Sequence, residues 1–258
     1  MNKWTIDQLK IAFNLYCKMP FGKMHHRNPE IIKLAKLLGR TPSALAMKLV
    51  NFASLDPSIT STGRRGLENA SAADRAIWGE FHDDWERLAL ESQALLENVA
   101  GEQEKWSFPE ELEELEEIEE DYVGEMKTVL ARVRIKQSFF RKAILSSYRS
   151  RCCMTGLNDE RLLIASHIVP WSKDKKNRLN PRNGLCLSAL HDKAFDKGLI
   201  TVDSQMKIKV SEQVRSLSGN DFARNSLLAL EDKSIFLPEK FLPSVDFLTY
   251  HNSFIFLA

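Results

Sequence analysis

Long apolar runs are missing from this chain. No stretch approaches the ~18 consecutive apolar residues that mark a membrane-spanning helix, and Met1-Asn2-Lys3-Trp4 opens an amphipathic helix in place of a secretory leader. The expected location is therefore the cytoplasm, with no membrane partner. Cysteine is scarce as well. The four present, Cys17, Cys152, Cys153 and Cys186, give no disulfide framework and no Cys-x-x-Cys pair. Structural zinc wants four thiolate or imidazole ligands at regular spacing, so the sequence argues against it. Cys152, Cys153 and Cys186 read instead as small buried residues. What remains is ample for globular cores. The chain has 258 residues, 43% of them hydrophobic, which suggests one or two domains.

Net charge is also nearly absent, at +1, but it is unevenly spread. Residues 110–121 hold nine acids and no base, so the rest of the chain carries about +10. Residues 127–198 alone hold 16 Lys/Arg against 5 Asp/Glu, a net of +11. Lys173, Lys175, Lys176, Arg178 and Arg182 crowd one short stretch. Such a cluster suits phosphate neutralisation on a polyanion, with salt-sensitive and sequence-independent affinity.

That stretch lies inside a dense motif. Ala165-Ser166-His167-Ile168-Val169-Pro170-Trp171 is followed by Asn180-Pro181-Arg182-Asn183-Gly184-Leu185 and by Leu190-His191-Asp192-Lys193-Ala194-Phe195-Asp196. The order and spacing of His, Asn and His resemble the HNH branch of the His-Me finger nucleases, closely over residues 145–200. The resemblance implies a ββα-metal active site and phosphodiester hydrolysis. That reaction needs a base for water and a cation for the charge developing on phosphate and leaving oxygen.

The residues can be read for those roles. Leu162 to Ala165 predicts a short buried strand that delivers His167, whose neutral imidazole can take a proton from water near pH 7. Pro170 stops the strand and Ser172 to Asn180 form a polar loop. Leu185 to Leu187 predicts a second strand, and Ala189 to Lys197 a helix carrying His191. Asn183 can donate and accept at once, which suits bracing the loop behind His167. His191 is expected to hold one Mg²⁺ or Mn²⁺.

Two positions depart from the family pattern. The residue before the base, commonly Asp or His in the family, is Ser166, a weak neutral ligand. Four residues after His191 stands Phe195, which leaves Asp196 as the nearest carboxylate. Asp196 is read either as a metal ligand or as a cap on the turn at Lys197-Gly198.

Upstream, apolar spacing from Ile6 to Cys17 predicts a helix. Pro29 opens a second helix through Leu38, and Gly39-Arg40-Thr41-Pro42 closes it and starts a third, from Ser43 to about Phe52. This reads as a helix-turn-helix with Arg40 in the turn and Ser43, Lys48 and Asn51 toward DNA. A plain helical packing module stays open. Residues 1–60 carry nine bases and three acids, a net of +6. Ser71 and Asp74 form a capping-box pattern that opens a helix through about Asn98, with Trp78, Phe81, Trp85 and Leu88 as a core stripe. The acidic segment is either a helix or a solvated linker. Alternation from Val129 to Ile135 predicts a strand, and Gln137 to Tyr148 a helix. Two short strands at 198–203 and 207–210 and an aromatic-rich tail follow.

The resulting reading is an α+β chain: a helical recognition domain at 1–100, an acidic linker at 101–125 and a ββα-metal nuclease domain at 126–258. The tail, with Pro238-Glu239-Lys240-Phe241-Leu242-Pro243 ahead of Phe247-Leu248-Thr249-Tyr250-His251, and the stretch from Trp4 to Asp56 resemble bacterial restriction-type HNH proteins, some of which cut only DNA with modified cytosines. That resemblance implies a metal-dependent endonuclease of double-stranded DNA in a defence role. A homodimer is inferred because one ββα site cuts one strand. Two alternatives stand beside it: an RNA nuclease effector, and an inactive DNA-binding scaffold, to which Ser166 lends weight.

Overall fold

The computed structural model describes residues 3–61, 70–100 and 125–258. The acidic run at 110–121 lies outside them. The chain forms two compact units, Met1–Ala143 and Ile144–Ala258. No helix among the described residues is long and apolar enough to cross a membrane.

The first unit is helical, and its caps are written in the sequence. Helix α1 (Ile6–Lys18) begins at a reciprocal cap in which Thr5 and Gln8 each accept the other's backbone N–H, at 3.2 and 3.3 Å. Helices α2 (Pro29–Leu37) and α3 (Pro42–Ala53) start with Asn28 and Thr41 as side-chain caps and proline at the first position, where a missing N–H costs nothing. Gly39 between them has φ +62°, the left-handed value that ends a helix without a Cβ clash.

Short α4 (Pro57–Thr60) is followed by α5 (Ala72–Asp83) and α6 (Trp85–Ala100). The periodicity predicts one helix here. The structure breaks it at Asp84, whose φ of −152° and ψ of 81° lie outside the helical region. The Asp84 carboxylate accepts from Arg87 N at 2.9 Å, so it caps the new helix and repays the break.

Phe13 of α1 is the hub of this core. Its ring meets Phe81 at 4.4 Å, Phe52 at 4.9 Å and Trp78 at 5.4 Å, largely tilted or edge-on, geometries that favour the ring quadrupoles. The aromatic stripe of residues 78–85 is thus core. Beside it Lys48 Nζ lies 2.8 and 3.0 Å from the two oxygens of fully buried Asp74. Asp74 also closes the Ser71 capping box.

Helix α7 (Glu125–Ser147) replaces the strand expected over 129–135. Val129 and Val133 are exposed, at 58% and 37%, so the alternation reflects no buried sheet face. Phe139, Phe140 and Ala143 are buried and fix the helix downstream. Extending a nucleated helix through Ala131, Arg132 and Arg134 costs less than building an unpartnered strand.

In the second unit β1 (Leu163–His167) pairs antiparallel with β2 (Gly184–Ser188), in a register that sets Ser166 opposite Leu185 and His167 opposite Gly184. Helix α8 (Ala189–Asp196) follows β2 directly. A hairpin of β3 (Ile200–Val202) and β4 (Ile208–Val210) comes next. Then come α9 (Glu212–Arg215), α10 (Asp221–Ser226) and α11 (Val245–Phe254). The four cysteines are free and buried. Cys186 lies in β2, and its carbonyl accepts from Cys153 N at 2.7 Å.

Helix α11 holds α8 through His251. That ring is 1% exposed and stacks on Phe195 with centroids 3.7 Å apart. Its Nε2 faces the Phe195 carbonyl at 3.1 Å and must carry the proton, so Nδ1 accepts from Thr201 Oγ1 at 2.8 Å. Burial lowers its pKa from 6.5 to about 4, against a smaller opposing effect of the Phe195 carbonyl. The linkage has a definite sign. Below pH 6.5 the unfolded imidazole takes a proton that the folded site refuses until about pH 4. The contribution is intact above the first value and is lost on acidification through the second, by roughly 3 kcal/mol in all. Denaturant titrations between pH 7.5 and 4.5 should show His251→Gln with a flatter pH profile than the wild type. Parallel profiles would remove His251 as the cause.

Candidate active site

The site is assembled by the short sheet and the loop between its strands. His167 is the last residue of β1. Its Nε2 lies 2.8 Å from the Arg178 carbonyl. A carbonyl only accepts, so Nε2 carries the proton and the basic electron pair sits on Nδ1. Burial lowers the His167 pKa. The Arg178 carbonyl and the charge of Asp196 oppose that shift without reversing it, so burial favours the neutral ring.

Trp171 and Arg178 build the wall around this ring. Trp171 meets His167 edge-on at 5.4 Å, and the Arg178 guanidinium lies 5.2 Å over the Trp171 ring while Nε donates to the Trp171 carbonyl at 2.8 Å. Arg178, read from sequence as a phosphate contact, is thus engaged within the loop. Asp174 folds the lysine-rich tip by accepting from Lys176 N and Asn177 N, each at 3.1 Å. Lys173, Lys175, Lys176 and Arg182 are exposed. Arg182 Nε also donates to the Leu242 carbonyl at 3.2 Å.

Asn183 is 1% exposed and ties this loop to the strand end. Its Oδ1 accepts from Val169 N at 2.8 Å, and its Nδ2 donates to the carbonyls of Val169 and Asn177, both at 3.2 Å. The Asn183 carbonyl accepts from Ile168 N at 3.0 Å. Both ends of one amide thereby fix the residues that follow His167. No apolar residue of the same size could do so.

Helix α8 supplies the remaining groups. His191 is 5% exposed and spends both ring nitrogens. Its Nε2 faces the Ser226 carbonyl at 2.9 Å, so Nδ1 accepts from Ser188 Oγ at 2.6 Å. Ser188 stands at the helix N-cap but makes no capping bond with its side chain. Asp196 is exposed and close enough to His167 for its charge to be felt. Asp192, one turn earlier, is half-buried. Burial raises its pKa, the charge of Asp196 adds to that, and Ser166 and Lys193 oppose it. Ser166 is 2% exposed, and its hydroxyl approaches Asp192 without completing a hydrogen bond of full geometry. Asp192 is the residue that the sequence reading passed over. Its i, i+4 spacing to Asp196 was the available signal.

Residues 152–203 match the family model described as HNH endonuclease. The match spans β1, β2, α8 and β3. It supports nuclease activity for the unit that holds His167. No curated protein matches the chain.

The residues proposed from the first unit lie elsewhere on the chain. Ser43 is exposed on the first turn of α3. Lys48 departs from the expectation of a DNA-facing side chain: it is 8% exposed and paired with Asp74. Asn51 is half-buried, with its side-chain oxygen buried and without a hydrogen bond. Arg40 donates to Gln8 Oε1 and the Lys3 carbonyl and covers the Trp4 ring at 4.8 Å. Of the residues read toward DNA, Lys48 is engaged by Asp74 while Ser43 stays exposed. Caps report where helices start, whereas burial decides which side chains can meet a duplex.

Proposed function

We propose that this chain is a divalent-metal-dependent endonuclease of double-stranded DNA with a restriction-type role and a preference for modified cytosine. The observation that carries the chemistry is His167. A carbonyl fixes its tautomer, burial favours its neutral form, and it sits at a strand end next to an exposed carboxylate and a basic loop. From Nδ1 it would take the proton of the attacking water. Asn183 would hold the His167 loop in place. Lys173, Lys175, Lys176 and Arg182 would neutralise backbone phosphates.

Among the described residues no three His, Cys, Asp or Glu converge as a metal cluster. The donors at this site are of another composition, a buried hydroxyl without a completed hydrogen bond and carboxylates. That suits Mg²⁺ or Mn²⁺, which prefers oxygen, keeps several waters and takes one or two carboxylates. Ser166 and Asp196 would hold it, and when bound it would stabilise charge on the scissile phosphate. One such site cuts one strand, so a double-strand break calls for a homodimer or two sequential nicks.

One digestion series tests the proposal. Unmodified, 5-methylcytosine and 5-hydroxymethylcytosine forms of one plasmid are incubated with Mg²⁺ and then Mn²⁺. Cleavage confined to a modified form is the expected result. Equal cleavage of all forms would remove the modification preference and keep the nuclease. No cleavage of any form with either metal, while RNA is cut, would replace the substrate.

A further inference from the structure

We propose that Asp192, and not His191, is the helix-borne ligand that joins Asp196 at the divalent-cation site, and that His191 is a positioning residue. This deepens the reading of the site as a metal-dependent nuclease and rests on it. Three observations point the same way.

First, His191 has no nitrogen to spare. Ser188 Oγ occupies one face at 2.6 Å and the Ser226 carbonyl the other at 2.9 Å. Ligating a cation would break one of these bonds and leave a buried donor or acceptor unpaired. What the ring does instead is structural: it ties the junction of β2 and α8 to the last residue of α10.

Second, Asp192 and Asp196 are four residues apart on α8, so both carboxylates rise on one helix face. Asp192 is half-buried, where a cation would compensate its charge.

Third, the hydroxyl of Ser166 is 2% exposed, lies at Asp192 and lacks a completed hydrogen bond. A buried hydroxyl in that state costs free energy. Beside Asp192 it offers a neutral oxygen donor to a cation. Two carboxylates and a hydroxyl make an all-oxygen set, matched to Mg²⁺ or Mn²⁺ over zinc.

The test reads metal binding directly. Mn²⁺ affinity of the full chain is measured by electron paramagnetic resonance, with and without a short duplex, alongside the melting temperature. Asp192→Asn should weaken Mn²⁺ binding at least tenfold with little change in melting temperature. His191→Asn should lower the melting temperature by several degrees, while the protein folded at low temperature binds Mn²⁺ within threefold of wild type. Ser166→Ala should leave the metal-free melting temperature unchanged or higher and shrink the shift that Mn²⁺ induces. Loss of Mn²⁺ binding in His191→Asn, with Asp192→Asn within threefold of wild type, would overturn the proposal. So would a metal-free Ser166→Ala protein that melts several degrees lower, because the hydroxyl would then serve the fold. A wild type that binds no Mn²⁺ with or without duplex would sink the metal-dependent reading itself.

Discussion

His167→Ala should lower the rate of DNA cleavage by about 10²–10⁴-fold, the usual contribution of a positioned base, and leave duplex affinity within a few-fold. A base acts on the transition state, so its loss appears in kcat and not in ground-state binding. The lysines proposed to meet phosphate lie on the loop and are not removed by the change. One complication is structural, since the His167 ring also donates to the Arg178 carbonyl at 2.8 Å. His167→Asn answers it, because the amide supplies a donor for that carbonyl and no base. Both variants should therefore be equally slow in single-turnover cleavage, with matching binding curves by fluorescence anisotropy. A rate within tenfold of wild type in either one would take the role of base away from His167.

The second large effect is on stability. Gly198→Ala should destabilise the unit of residues 144–258 by about 4 kcal/mol, a change reserved for a steric or backbone fault. Gly198 has φ +68°, and a Cβ there would stand 2.0 Å from the Ile255 carbonyl oxygen and 2.9 Å from its carbon. The left-handed conformation alone costs an alanine roughly 1–2 kcal/mol. The clash is with backbone, which no rotamer change relieves. The tail is also bonded to this glycine, because Leu257 N donates to the Gly198 carbonyl at 2.9 Å. Displacing the tail would therefore loosen the end of α11 and, through His251, the ring of Phe195 on α8. A drop of roughly 15 °C in the melting transition of that unit is expected. A drop below about 2 °C would mean that the tail gives way freely and does not brace α8.

Much of the local structure of the candidate site was legible in the sequence, because its elements depend on short-range chemistry. The turn that Asn180 caps ahead of Pro181 follows from short-range rules of capping and φ restriction. The helices of the first unit were legible for the same reason: Thr5, Asn28, Thr41 and Ser71 each cap where they stand. Local rules failed where two were in balance. At Asp84 a periodic stripe continued while the backbone turned, and at Val129 to Ile135 an alternation of two coincided with good helix formers.

Tertiary structure alone decided which polar groups had anything left to offer. Lys48 and His191 are both plausible contacts in a linear reading, yet Asp74 closes on one and Ser188 and Ser226 on the other. Those partners lie 26, 3 and 35 residues away, and no periodicity or spacing brings Asp74 or Ser226 into view. Conversely, Ser166 looked like a weak substitute in sequence, and burial beside Asp192 is what gives it meaning. Sequence determines which chemical groups a chain owns and where its elements begin. Only the packed chain determines which of those groups are already spent on one another, because the cost of burying a polar group is settled by distant neighbours.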